Sequence, residues 1–190
     1  MRVGKIHDND ANPFASEIMT YLDHLYRVAY YLVKNTHEAQ DCVQETCLRA
    51  LGSRSQYEPG TNMKAWLTRI LYNLFYDAYA RKRQVVSVED LGGVGDEKDD
   101  FWERLPTGNP GPESVVMEKE LEAKIGAALR RIPEEFRAAI VLVDMGDFSY
   151  AEAGEILSCP IGTVRSRLSR GRKLLQKELS PYVGRTGTDR

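Results

Sequence analysis

Apolar side chains recur along this chain at spacings of three and four, and no segment shows the alternation of a strand. From Pro13 to Lys34 the series Phe14, Ile18, Leu22, Leu25, Val28, Ala29 and Leu32 marks one helical face. Thr36 is placed to cap a second helix that runs to about Leu51, and Gly52 to Gly60 reads as a loop containing Pro59-Gly60. A third helix is predicted from Asn62 to about Arg83, with Leu67, Leu71, Leu74 and Ala78 as its packing stripe. The pattern then breaks from Val85 to Pro112, which is rich in Gly, Pro, Asp and Glu. Four more helices follow: Ser114 to Arg131, Pro133 to Asp144, Ser149 to Leu157 and Thr163 to Leu179. Pro133 followed by Glu134 and Glu135 is a favourable helix start. The fold class expected is all-α, with two small helical domains at 1–84 and 113–183. They are joined by a flexible acidic linker at 85–112 and followed by a frayed tail at 184–190.

The stretch from Ser149 to Lys177 carries the most information. It reads as two short helices joined by a tight turn at Pro160 and Gly162, with Thr163 capping the second. Between Thr163 and Lys177 there are six Arg or Lys and no Asp or Glu. Val164, Leu168, Gly171 and Leu175 fall on one stripe. Arg165, Ser166, Ser169, Arg170, Arg172, Lys173, Gln176 and Lys177 spread over the opposite arc. An apolar back with a basic, hydroxyl-rich front suits a helix that packs on a domain and lies in the major groove. A solvated amphipathic helix would share some of these features. It would not explain the turn, the cap and the small pair Ala153-Gly154 that admits a crossing helix.

Charge sharpens this picture. The 190-residue chain has a formal net charge of −2, so its total charge does not suggest a nucleic-acid partner. The charge is segregated instead. Basic residues gather in Arg81-Lys82-Arg83 and in the last helix, while Val85 to Glu113 holds eight acidic and two basic residues. The first 13 residues are polar and no apolar run approaches the ~20 residues that span a bilayer, so the expected location is cytoplasmic, without membrane insertion. Cys42, Cys47 and Cys159 have no paired spacing; on a helix the first two point about 140° apart. His7, His24 and His37 are scattered, so neither a metal site nor a cofactor is expected. No nucleophile–base constellation suggests an enzyme.

Two further helices carry polar faces. On the second, Glu38, Asp41 and Glu45 lie within about 60° of one another, opposite Ala39, Val43, Cys47 and Ala50. Spacing alone favours a solvated face with a Glu45–Arg49 pair, although such a stripe also fits a basic partner. On the third, Arg69, Tyr72, Asn73, Tyr76, Asp77 and Tyr79 crowd the faces outside the packing stripe, followed by Arg81, Lys82 and Arg83. Rings mixed with cations suit single-stranded DNA, and the same tyrosines also suit packing with their hydroxyls at the rim.

Three segments together resemble the extracytoplasmic-function (group IV) class of sigma-70 family sigma factors. EAQDCVQETCLRAL, Glu38 to Leu51, is similar to the D-V-Q-E helix that docks on the RNA polymerase clamp. AWLTRILYNLFYDAYARKR, Ala65 to Arg83, is similar to the segment that melts and reads the −10 element. Leu129 to Leu175 is similar to region 4, which reads the −35 element. The resemblance implies core polymerase contacts at Asp41, Gln44 and Glu45. It places Trp66, Asn73, Asp77 and Arg81 around a flipped −10 base, within a −10 surface that includes Arg69, Tyr72, Tyr76, Lys82 and Arg83. Arg165, Ser166 and Ser169 match positions that face −35 bases, with Thr163, Arg170, Arg172 and Lys173 as phosphate contacts; Arg167 ranks below Arg165 as a base reader.

Departures from the family pattern are few. Cys42 and Cys47 replace larger apolar residues, which fits packing better than redox sensing, and the same holds for Cys159 in the turn. Ala153-Gly154 replaces a more usual Ile-Ala pair, which should loosen the helix-turn-helix. The function implied is a sigma factor that binds core RNA polymerase and promoter DNA and is held by an anti-sigma factor. The alternative is an autonomous helix-turn-helix regulator acting without polymerase.

Overall fold

The computed structural model describes residues 12–86 and 123–183, and among them every regular element is helical. Asn12 opens α1 (Pro13–Met19), its side chain accepting from the Phe14 N–H at 3.2 Å. The single helix expected from Pro13 to Lys34 is two. The N–H groups of Thr20 and Tyr21 bond three residues back, to Glu17 and Ile18, tightening the last turn, and Tyr21 then leaves helical geometry before α2 (Leu22–Val33). Lys34 ends α2 in the left-handed region at φ 67°. The cap of α3 (Thr36–Gly52) is Asn35 rather than Thr36, because the Asn35 side chain takes the Glu38 N–H.

After a 3₁₀ turn at Arg54–Gln56, the Asn62 carboxamide oxygen accepts from the Ala65 N–H at the start of α4 (Met63–Val86). This helix runs past its expected end through two residues assigned to the linker. The rest of the linker, residues 114–122 of the next expected helix and the tail lie outside the described residues.

The second half begins with α5 (123–130) and α6 (Glu134–Ile140). The helix expected from Pro133 to Asp144 changes hand-over partway: after Ile140 the chain widens into one π-type turn, Val141–Met145. Asp147, at φ 56°, then reverses the chain so that the Phe148 N–H reaches back to the Leu142 carbonyl at 3.1 Å. Ser149 and Glu152 form a reciprocal capping box on α7 (Tyr150–Ile156). Helix α8 spans Ile161–Val183. Thr163 is therefore inside its first turn, not its cap, and Gly162 belongs to the helix. The N–H groups of Thr163 and Val164 both bond to the Pro160 carbonyl.

Helices α2, α3 and α4 bury Leu25, Val28, Leu32, Ala39, Ala50, Leu67 and Leu71 between them; α6, α7 and α8 bury Ala138, Ile140, Leu142, Ile156, Val164 and Leu168. The pair Ala153-Gly154 does not loosen this packing. Both are buried, and a Cβ on Gly154 would stand 2.9 Å from the Cys159 carbonyl oxygen, so the turn needs a glycine there. Gly171 lets α8 cross α6 in the same way. A Cβ would meet Ile140 Cδ1 at 2.9 Å and the Phe136 carbonyl oxygen at 3.0 Å.

The two halves pack against each other, α4 against α7 and α2 against α6 and the π-type turn. Lys64 bonds the Gly146 carbonyl at 2.6 Å, and its Nζ lies 4.8 Å from the centre of the Phe148 ring. His24 meets the same ring edge-on at 5.5 Å. The Tyr72 hydroxyl donates to Glu134 at 3.1 Å, Asn62 Nδ2 to Glu152 at 2.6 Å, and Lys34 Nζ to the Arg130 carbonyl at 2.6 Å. The Thr68 hydroxyl is spent on the Lys64 carbonyl, so it accepts from His24 Nε2–H, and His24 Nδ1 is buried without a partner. Burial, then Lys64 and Arg27, lower the His24 pKa to about 4, with Asp147 opposing them.

Two predictions follow from this packing. Gly171→Ala should destabilise the fold by about 1–2 kcal/mol, overpacking outweighing helix propensity, whereas Gly162→Ala, with open space around it, should stabilise by up to about 1 kcal/mol. Denaturant melts of the two variants read the opposite signs. His24 is neutral in the folded chain, so its contribution to stability is complete above about pH 6.5, the unperturbed value. It is lost as pH falls toward 4. The melting temperature of His24→Asn should therefore fall less steeply than that of the parent between those limits in a pH series.

Candidate polymerase and nucleic-acid interfaces

The acidic stripe is set by the packing of α3. Ala39, Val43, Thr46 and Ala50 are buried, which leaves Glu38, Asp41, Gln44 and Glu45 exposed on the other side. Glu45 pairs with Arg49 at 2.8 Å, both half-exposed, a contact worth little to stability. Beside the stripe, a groove of about 570 Å³ lies between the end of α2, α3 and α4. Its apolar lining includes Leu32, Leu74 and Phe75; Asp41, Glu45 and Arg81 are among its exposed charges, and Arg137 lines it from a buried position. Burial raises the Cys42 thiol to about 11 and raises Cys47 as well, so neither is a thiolate at neutral pH.

On α4 the residues read from the sequence divide. Arg69, Asn73, Tyr76 and Asp77 are exposed on one continuous stripe, with Asn73 and Asp77 one turn apart. Tyr76 is 50% exposed. Arg81 follows, its Nε donating to the Asp77 carbonyl at 3.1 Å. Trp66 is half-buried in an aromatic group with Phe14 and Tyr57, at 6.1 and 5.2 Å between ring centres. Tyr72 stands apart: it is 7% exposed, on the side of α4 that faces α6, with its hydroxyl on Glu134. Burial, and then Glu134, raise its pKa. Lys82 and Arg83 lie on α4, with side chains outside the described residues. The packing stripe is also wider than the pattern implied. Met63, Thr68, Tyr72 and Phe75 are buried, while Leu74 and Ala78 only line the groove.

On α8, Val164 and Leu168 are buried, and Arg165, Ser166, Ser169, Arg170, Arg172 and Lys173 are exposed. Thr163 is half-buried and its carbonyl accepts from the Ser166 hydroxyl at 3.0 Å. Arg167 turns aside, 3.7 Å from Glu135 and 3.9 Å from the Cys159 sulfur. Asp144, from the π-type turn, pairs with Arg172, and the Tyr150 ring lies under Arg165 at 5.8 Å. Neither partner was singled out from the sequence, because both come from elements other than α8. Among the described residues no helix is long and apolar enough to cross a membrane.

Comparison with known proteins identifies the family of both halves. The family models for Sigma-70 region 2 and Sigma-70 region 4 match residues 18–85 and 122–175. The chain is 39% identical over 180 residues to the ECF RNA polymerase sigma factor SigE of Mycolicibacterium smegmatis, covering 94% of this chain and 66% of that protein. It is 32% identical over 178 residues to the ECF RNA polymerase sigma factor SigW of Bacillus subtilis, covering 94% and 95%. Among solved structures it is similar to the sigma factor RpoE of Bartonella quintana, determined in complex with the anti-sigma factor NepR. That match has a TM-score of 0.68 and 30% identity, over 88% of this chain and 97% of that one. With both regions matched in order and a relative of nearly equal length at this identity, the chain belongs to the extracytoplasmic-function class of sigma-70 family RNA polymerase sigma factors.

Proposed function

We propose that this chain binds core RNA polymerase through Asp41, Gln44 and Glu45, recruits it to promoters with paired −35 and −10 elements, and opens the −10 region without catalytic activity of its own. The observation that carries the reading is the α3 stripe. Three polar side chains stand exposed over a fully packed opposite face, and an operator-binding repressor has no use for them. The exposed strip Arg69, Asn73, Tyr76, Asp77 and Arg81 combines a ring, edge-reading groups and cations, as an unstacked strand requires. Tyr72, Lys82 and Arg83 complete this −10 surface in the proposal, and Tyr72 meets DNA only once α6 has left α4. Arg165, Ser166 and Ser169 read −35 bases, and Thr163, Arg170, Arg172 and Lys173 hold phosphates.

The protein works in the cytoplasm, and an anti-sigma factor is its regulatory partner. The support is the relative solved with NepR and the groove beside the α3 stripe, whose apolar lining and mixed exposed charges suit an amphipathic helix. Run-off transcription with purified core polymerase, with and without this chain, tests the function. Specific initiation only in its presence supports the reading, and tight sequence-specific binding without polymerase would point to a repressor instead.

Two residue-level outcomes are expected. Asp41→Lys with Glu45→Lys should weaken competition for core polymerase by about tenfold or more while circular dichroism stays unchanged, since both side chains lie opposite the packing face. Asn73→Ala should abolish permanganate reactivity of −10 thymines in the holoenzyme while binding at the −35 element survives. Normal opening by this variant would remove α4 from strand separation.

A further inference from the structure

Helix α8 carries two arginines, Arg165 and Arg172, that are seven residues apart and so nearly in line along its surface. Each is engaged by a group from outside α8. Arg172 makes a two-point pair with Asp144: Nε to Oδ2 at 3.0 Å and Nη2 to Oδ1 at 2.5 Å. Such a pair fixes the plane of the guanidinium as well as its place. The Arg165 guanidinium carbon lies 5.8 Å from the centre of the Tyr150 ring, and Tyr150 also interacts with Arg172. One phenol thus stands beside both cations.

The two supports are themselves firmly held. Asp144 belongs to the π-type turn that the Phe148-to-Leu142 hydrogen bond closes. Tyr150 is the first residue of α7, immediately after the Ser149–Glu152 capping box. Neither is in the buried core: Asp144 and Tyr150 are both exposed, so packing alone gives no reason for a carboxylate and a ring at these places.

We infer that Asp144 and Tyr150 are positioning residues for promoter readout, holding Arg172 and Arg165 in the orientation in which α8 presents them to DNA. Asp144 has a second effect. An unpaired arginine would add one phosphate contact to DNA of any sequence, raising affinity everywhere and discrimination nowhere. Held by Asp144, Arg172 keeps the one direction that α8 gives it and reaches a phosphate only where α8 is docked in register. The inference rests on the assignment of α8 to the −35 element.

The test uses the full chain with core polymerase. Holoenzyme selects from a duplex library randomised through the −35 and −10 windows. Affinity is then measured across a salt series for the selected duplex and for one with its −35 window scrambled. Asp144→Asn is expected to lower the ratio of the two affinities by about fivefold, because a freed Arg172 adds on the scrambled duplex a phosphate contact that the selected duplex already has. It is also expected to steepen the salt slope on the scrambled duplex by roughly one unit. Asp144→Glu should restore the ratio. Tyr150→Leu should lower the ratio, and Tyr150→Phe, which keeps the ring, should not.

An Asp144→Asn holoenzyme whose two affinities shift by the same factor, with an unchanged slope, would overturn the inference. So would failure of Asp144→Glu to recover, or equal behaviour of the two Tyr150 variants. Arg165→Ala, run in parallel, separates this from failure of the underlying assignment. If it leaves the −35 preference intact, α8 is not the −35 reader. If it relaxes that preference while Asp144→Asn does nothing, only the positioning role falls.

Discussion

Helix α4 is buried along two stripes at once, and the arrangement of the other elements depends on it. Leu67 and Leu71 face α2 and α3, whereas Lys64 and Tyr72 reach Gly146, Phe148 and Glu134 of the second half. A helix packed on two sides has only a narrow exposed strip left. On α4 that strip is Arg69, Asn73, Tyr76 and Asp77, so the same packing that joins the halves defines the surface proposed to meet the −10 strand.

Besides a shared apolar cluster, the seam between the halves carries a set of specific polar contacts. Asn62 caps α4 with its oxygen and bonds Glu152 with its nitrogen, while Glu152 caps α7. Two helix starts are thereby tied through two side chains. Lys64 and Lys34 each end on a backbone carbonyl of the other half; burial, then Arg137 and Arg130, lower the Lys34 pKa to about 8. Contacts of this kind fix one relative placement of the halves, yet each can be replaced by water when they part. A seam so built can part, as the proposed separate reading of −35 and −10 elements requires.

Glycines show how closely the second half is fitted. Gly154 and Gly171 sit where backbone or a branched side chain leaves no room for a Cβ, while Gly162, in the first turn of α8, meets nothing. The same residue type is obligatory in two places and replaceable in the third. The difference lies in which helix crosses there, and nothing in the local pattern of α8 reports it.

By itself the sequence determined the helical class, the order of the two halves, the acidic face of α3 and the basic front of α8. These follow from periodicity within one element, where neighbours three and four apart share a face whatever lies outside. The three motifs, taken together, also placed the chain in its family. Tertiary structure alone decided the rest. Tyr72 reads like the other rings of α4 but is buried with its hydroxyl on Glu134, because only the meeting of the halves selects that side of the helix. Asp144 and Tyr150 have no signature in their own segments, since their role comes from standing against a helix that follows them in the chain. Periodicity describes one helix at a time. Which faces are shared between helices is settled by contacts distant in sequence, and these the residues of a single element do not encode.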